Sequence, residues 1–189
     1  MPSDDRHLIW PFVRHEEETD FRIFVARTKI AAHPTSQKEH RFTVLDGADW
    51  TNVIALTASQ DVVLIRQYRH GTDTVTLEIP GGAVDPGESH RLAAERELLE
   101  ETGYQAKRWS RLGSVRPNPA LQVNRCSTWL AEGAEQVAEP RLDEGEAIEV
   151  KTVPLERVRP LIASGEIDHA LVVAAFYYLF ESHRAPETR

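Results

Sequence analysis

Glu97, Glu100 and Glu101 crowd together in the stretch Arg96-Glu97-Leu98-Leu99-Glu100-Glu101-Thr102-Gly103-Tyr104. Wound into a helix at ~100° per residue, their carboxylates share one narrow arc of its surface. Like charges at this spacing repel and destabilise a helix, so the arrangement calls for a counter-charge. A hard divalent cation such as Mg²⁺ supplies one, because it takes oxygen ligands from a few carboxylates together with substrate phosphates. Such a centre suits chemistry on a phosphate-bearing substrate. The plain alternative is a glutamate-rich helix facing solvent.

The surrounding residues are those needed to hold such a helix in place. Pro86-Gly87 predicts a turn and Ser89 an N-cap. Residues 92–101 are good helix formers and Gly103 is a C-terminal stop, with Leu92 and Leu99 directed away from the glutamates toward a core. Residues 52–56 and 62–67 are apolar, β-branched runs separated by Ser59-Gln60-Asp61, and read as core strands. Strands are also expected at 76–80, 108–115, 124–131 and 147–153, then a helix at 155–163 shortened or kinked by Pro160, and a last helix at 168–182. Before the core, residues 1–20 read as an arm. Residues 21–30 and 40–45 read as a hairpin closed by a turn at 31–39. Residues 185–189 form a polar tail.

Composition narrows the function classes. The chain has 189 residues, enough for one domain with a proper core. A formal net charge of −8 argues against general nucleic-acid binding. It also sits awkwardly with an anionic substrate, so a metal and local arginines must reverse the sign at the site. The single Cys126 excludes an internal disulfide framework and fits a reducing, cytoplasmic setting. The start, Met-Pro-Ser-Asp-Asp-Arg-His, is unlike a signal peptide. The longest apolar run, 170–180, is too short to span a bilayer, and no membrane association is expected.

Gly82, five residues, Glu88, seven residues, and then Arg96 to Gly103 resembles the complete box of the Nudix hydrolases, with every fixed polar and glycine position filled. Seven fixed identities at set spacing arise by chance far less than about once per million chains of this length. Tyr104 is a soft departure, standing where the family more often has an aliphatic residue. A strand ending in Gln67-Tyr68-Arg69, a short loop and then Glu78-Ile79-Pro80-Gly81-Gly82 looks like the ADP-ribose pyrophosphatase branch, with its related nucleoside diphosphate sugar hydrolases. Pro119, in the loop Arg116-Pro117-Asn118-Pro119-Ala120, matches a proline of that branch as a substrate clue, although an ordinary rigid turn explains it equally. The resemblance covers roughly residues 40–180.

The resemblance implies an α/β fold, a Nudix α/β/α sandwich with a mixed β-sheet plus an N-terminal antiparallel β-hairpin or sheet. Residues 1–46 would be the arm and hairpin, serving as a dimerisation element of a homodimer, and residues 47–184 the hydrolase domain. The implied cofactor is Mg²⁺, with Mn²⁺ as substitute. The implied substrate is ADP-ribose or a nucleotide sugar, cleaved to a nucleoside monophosphate and a sugar phosphate. Dinucleoside polyphosphates, capped RNA and damaged nucleotides are the alternative substrates, and a nucleotide-sensing module without turnover is the non-enzymatic alternative.

Roles follow by motif position. Glu97 and Glu101 are implied metal ligands, Glu100 a ligand or water-orienting group, and the Gly81 carbonyl an additional ligand. Glu88 and Arg96 are structural, with Arg96 bridging to Glu88 as a forked brace; Gly82 and Gly103 are structural too. The general base often comes from a loop outside the box. In Leu142-Asp143-Glu144-Gly145-Glu146-Ala147-Ile148, Glu144 is the first candidate and Glu146 the second, against an acidic surface turn, with Glu100 competing for the role. Arg69 is the candidate to grip the diphosphate or distal sugar, or else makes a strand-end salt bridge. Glu78 accepts from a ribose hydroxyl or base, or is a solvated strand residue. Trp50 and Tyr68 are candidate stacking platforms, against ordinary buried aromatics. His70 and His169 have no ligand-like spacing and read as ordinary polar residues, with no zinc site expected.

Overall fold

The computed structural model describes residues 5–182. Its strands are β1 (Phe12–Asp20), β2 (Val25–Ala32), β3 (Glu39–Asp46), β4 (Trp50–Thr57), β5 (Asp61–Arg69), β6 (Thr74–Glu78), β7 (Gly81–Ala83), β8 (Tyr104–Gln105), β9 (Arg108–Val115), β10 (Cys126–Gln136) and β11 (Ile148–Pro154). Its helices are α1 (His90–Thr102), α2 (Leu155–Ser164) and α3 (Ala170–Ser182). Contacts divide the chain into two units. One takes in the chain up to Ala48 plus Asn118–Asn124, the other Asp49–Pro117 plus the chain from Arg125 onward.

The first unit carries a three-stranded antiparallel sheet in the order β1-β2-β3. The sequence reading of residues 1–20 as an arm is corrected here: residues 12–20 form a strand, while residues 1–4 lie outside the described residues. The strand escapes periodicity analysis because every one of its residues is exposed, so no face is selected for apolar side chains. Its acidic run is instead matched by cross-strand arginines. Arg41 pairs with Glu16 and Glu17, and Arg27 with Glu18. Residues 118–124 join this unit through backbone bonds from Leu45 N–H to the Leu121 oxygen at 2.7 Å and from Val123 N–H to the Leu45 oxygen at 3.2 Å.

The second unit is layered by strict alternation along β4 and β5. Ile54, Leu56, Val62 and Leu64 pack with Val158 and Leu161 of α2 and Val172, Phe176 and Leu179 of α3. The intervening Val53, Ala55 and Val63 pack with Ala94 and Leu98 of α1. Successive strand side chains point to opposite faces, so a continuous apolar run builds a sheet covered on both sides. The main order is β11-β5-β4-β10-β8, with β6 on β5, β7 on β4 and β9 on β10. The β4–β10 pair is parallel and the others antiparallel, so the sheet is mixed. This is the α/β/α sandwich implied by the box. α2 runs through Pro160 without ending there and stops at Gly165. Among the described residues, no helix is long and apolar enough to cross a membrane.

α1 has the termini its sequence predicts. The Ser89 side chain accepts from Leu92 N–H, and Gly103 closes the helix in the left-handed region at φ 73°. A Cβ on Gly103 would fall 1.9 Å from the Ala138 oxygen, so that turn is closed to other residues. The packing face differs from expectation. Leu92 is 56% exposed and Leu99 only partly buried, whereas Ala93, Ala94, Leu98, Glu101 and Thr102 are buried. Two alanines allow the helix to approach the sheet closely, and that rotates the acidic arc inward rather than outward. Leu98→Ala should therefore cost about 2–5 kcal/mol in urea unfolding, and Leu92→Ala no more than about 0.5 kcal/mol. Equal losses would contradict this orientation.

Candidate active site

β7 fits between β4 and α1 because it begins with two glycines. A Cβ on Gly81 would stand 2.3 Å from the Thr51 oxygen, and one on Gly82 2.4 Å from Glu97 Oε1. The Glu97 carboxylate thus rests directly against the Gly82 backbone. Gly81 N–H donates to Glu101 Oε2 at 2.8 Å, a contact made through backbone and open only to a residue without a side chain in the way.

Glu101 is 3% exposed. Its burial pushes the carboxyl up to about 8, with the charges of Glu97 and Glu146 adding to the rise while the Gly81 amide and Arg69 oppose it. Glu97 is raised as well, again chiefly by burial and then against the opposing pull of Arg96. Burial thus works against the charged form of both carboxylates, most strongly at Glu101.

Arg96 supplies part of the counter-charge. Its Nη1 donates to Glu97 Oε1 at 2.8 Å and to Glu100 Oε2 at 3.2 Å. Its Nε and Nη2 fork onto Glu88 at 3.2 and 3.0 Å, and Nη2 also reaches the Ala83 oxygen at 3.0 Å. Arg96 holds Glu88 below the usual carboxylate range through those hydrogen bonds. The three box glutamates are therefore not a preformed cage: among the described residues, no group of three or more acidic, histidine or cysteine side chains stands in ligand-like array. The donor set nevertheless fits a hard cation. Glu97, Glu100 and Glu101 and the Gly81 carbonyl are all oxygen donors, and the burial cost borne by Glu101 is what such an ion would relieve.

Beyond the box, Arg69 and Glu78 form a bidentate pair, Nε to Oε1 at 2.7 Å and Nη2 to Oε2 at 2.8 Å. Glu78 is buried at 3% exposure, not a solvated strand residue. Burial pushes its carboxyl up, but hydrogen bonds from Arg69 and Thr76 and the nearby charges outweigh that and leave it lowered. The field of Glu101 reaches Arg69, so this pair and the carboxylates belong to one neighbourhood. Of the two loop glutamates, Glu146 is the one whose charge reaches Glu97, Glu101 and Arg69. Its carboxylate accepts from Asp143 N–H at 3.2 Å, and both Glu144 and Glu146 are exposed.

Tyr68 is exposed and its hydroxyl donates to Asp73 at 3.0 Å, with the ring edge-on to His70. Trp50 is half-buried at the start of β4. Pro119 is exposed and belongs to the first unit. Sequence reasoning did not single out Asn52 and Thr76. Asn52 is buried, donates through Nδ2 to the Leu171 oxygen at 3.4 Å, and has Oδ1 without a hydrogen-bond partner. Its signal was a lone amide inside an apolar strand. His169, read as an ordinary polar residue, stands 4.0 Å from Glu78.

Comparison with known proteins places this geometry. The family model of the NUDIX domain matches residues 49–176. An ADP-ribose pyrophosphatase of Bacillus subtilis is 34% identical over 128 residues, covering 67% of this chain and 69% of its own. An ADP-sugar pyrophosphatase of Mus musculus is 32% identical over 124 residues, covering 61% and 56% respectively. In structure, the chain is similar to an ADP compounds hydrolase, with a TM-score of 0.82 at 21% identity over 93% of this chain and 94% of that one.

The Glu101 burial makes a pH prediction for metal-free protein held in EDTA. The folded value is raised from 4.5 to about 8, so the stability associated with the protonated group is complete below 4.5 and is lost as pH rises through 8. The contribution has a slope of at most ~1.4 kcal/mol per pH unit across that window. Glu101→Gln should flatten the loss seen in urea unfolding; a variant with the wild-type pH profile would exclude Glu101 as its source.

Proposed function

The chain belongs to the Nudix family and is a hydrolase acting on phosphoanhydride bonds, and on that premise we propose that it is a Mg²⁺-dependent pyrophosphohydrolase of ADP-ribose or a related nucleotide sugar. The products would be a nucleoside monophosphate and a sugar phosphate. The observation that carries this reading is the inward-facing pair Glu97 and Glu101, raised by burial beside the Gly81–Gly82 backbone. The relatives named for ADP-ribose and ADP-sugars support the substrate class.

Glu97, Glu101 and the Gly81 carbonyl would hold the cation, with Glu100 as a further oxygen donor. A divalent cation, when bound there, neutralises diphosphate charge and makes water a better nucleophile. Arg96 keeps its Nε and Nη2 on Glu88 and the Ala83 oxygen, which fixes the loop against α1 while Nη1 gives up Glu97 and Glu100. Arg69, 40% exposed in its side chain, offers a fork for phosphate oxygens in an otherwise acidic protein. Glu146 is the group we assign as acceptor of the proton from the attacking water, on the ground that its charge reaches Glu97 and Glu101. A homodimer in the cytosol completes the reading, supported by large apolar side chains exposed on the first unit, Leu8, Ile9, Phe12 and Ile23 among them.

Purified protein should release AMP from ADP-ribose with Mg²⁺, retain activity with Mn²⁺ and stop with EDTA. Glu101→Gln should lose roughly a hundredfold or more in kcat with its circular dichroism unchanged. Glu146→Gln should lose about 10²–10⁴-fold, as expected for a general base. Full-rate turnover by Glu101→Gln would remove the metal assignment, and preference for capped RNA or dinucleoside polyphosphates in a substrate panel would remove the substrate assignment.

A further inference from the structure

We propose that Glu78 is a positioning residue: it grips Arg69 by one edge, turning the other edge to the substrate's diphosphate and keeping the guanidinium off the carboxylates around the cation. The inference rests on the readings of Arg69 as the diphosphate-binding arginine and of Glu97 and Glu101 as metal ligands. A guanidinium carries five N–H donors in a planar fork. Glu78 takes two of them, Nε to Oε1 at 2.7 Å and one hydrogen of Nη2 to Oε2 at 2.8 Å. One hydrogen of Nη1 and the second of Nη2 remain side by side on the adjacent edge. That edge is a second two-donor fork of the kind that fits a phosphate, and using it leaves the grip on Glu78 intact. The Glu78 carboxylate is fixed in turn: it is 3% exposed and accepts from Thr76 Oγ1 at 2.5 Å.

What Glu78 prevents is visible at the other arginine of the site. Arg96 Nη1 donates to Glu97 and Glu100, so an arginine within reach of the box carboxylates occupies them. Arg69 belongs to the same neighbourhood. Gly81, three residues after Glu78, donates its N–H to Glu101 at 2.8 Å. The β5–β11 register pairs Gln67 with Ile148, so Glu146 follows two residues beyond, on the side of Arg69. The charges of Glu101 and Glu146 both act on Arg69, yet its hydrogen bonds go to Glu78. Glu78 outcompetes them by offering both oxygens to one edge of the guanidinium. Without that grip Arg69 would turn to Glu101 or Glu146 and stand where the cation would be held. Glu78 touches no reacting atom and acts through Arg69.

The test reads Mn²⁺ binding to the metal-free full chain by electron paramagnetic resonance, without substrate. It compares wild type, Glu78→Gln, Arg69→Gln, the double variant Glu78→Gln/Arg69→Gln and Glu101→Gln. Glu78→Gln should weaken Mn²⁺ binding roughly three- to tenfold, the scale of one charge-assisted hydrogen bond gained by the competing arginine. Arg69→Gln should bind Mn²⁺ at least as tightly as wild type. In that background Glu78→Gln should add nothing, because no guanidinium remains to compete. A crystal structure of metal-free Glu78→Gln should show Arg69 hydrogen-bonded to Glu101 or Glu146. In steady-state kinetics with ADP-ribose and Mg²⁺, Arg69→Lys should raise KM as far as Arg69→Gln does, since an ammonium has no second forked edge. If wild type binds no Mn²⁺, or Glu101→Gln binds it equally, the metal reading fails and takes the inference with it. If Arg69→Gln leaves KM unaltered, the reading of Arg69 fails with the same result. With both readings intact, wild-type Mn²⁺ affinity in Glu78→Gln overturns the inference alone. So does an equal loss in the Arg69→Gln background, an Arg69 that stays off both Glu101 and Glu146 in the crystal, or a wild-type KM for Arg69→Lys.

Discussion

The structure depends on the cost of putting carboxylates where water cannot reach them. Glu101 is driven inward by the close approach of α1 to the sheet, an approach that two alanines and a bare glycine strand permit. An uncompensated buried carboxylate is expensive, and one amide hydrogen bond from Gly81 offsets only part of that cost. The rest of the site is a set of answers to the same difficulty. Arg96 spreads one guanidinium over Glu88, Glu97 and Glu100. Arg69 does likewise for Glu78. A divalent cation of the kind this family of hydrolases generally uses would relieve what the arginines leave.

This also explains how a protein of formal charge −8 can handle an anionic substrate. The local sign is set by which groups stand within a few ångströms, because more distant exposed charges are screened by salt. Arg69 keeps one edge of its guanidinium on Glu78, whereas Nη1 of Arg96 is engaged by Glu97 and Glu100. The availability of Arg96 to a ligand is a matter of exchange between partners, and exchange among charged groups at short range is where an enzyme can couple binding to rearrangement at little net expense.

What the sequence discloses here follows the range of the forces involved. The caps of α1 are local, and Ser89 and Gly103 could be placed from neighbours in the chain alone. The apolar runs that become β4 and β5 are legible because burial on both faces selects apolar residues at successive positions. β1 was not legible, since an exposed strand held by its ladder and by ion pairs leaves no pattern in hydropathy. The direction of Leu92 is not legible in the sequence, because Ala93 and Ala94 with Leu98 fill the core face of α1 and Leu92 falls outside it. Within the site, the carboxylate cluster was visible as an electrostatic problem, and Arg96 on Glu88 as a natural fork. That Glu78 is buried with Arg69 and His169 beside it depends on pairings between distant segments that no spacing rule contains.

α1 and α3 lie on opposite faces of one sheet, yet each sends its terminus toward the same functional region: Glu101 from the last turn of the first, His169 from just before the second. Glu101 and His169 thus stand on separate supports. α1 is clamped at both ends, by a serine hydroxyl and by a left-handed glycine, whereas α3 is held by its apolar face, with Val172, Ala175, Phe176 and Leu179 buried in the core. A packing change on one face of the sheet thus bears on one of these residues while leaving the support of the other in place.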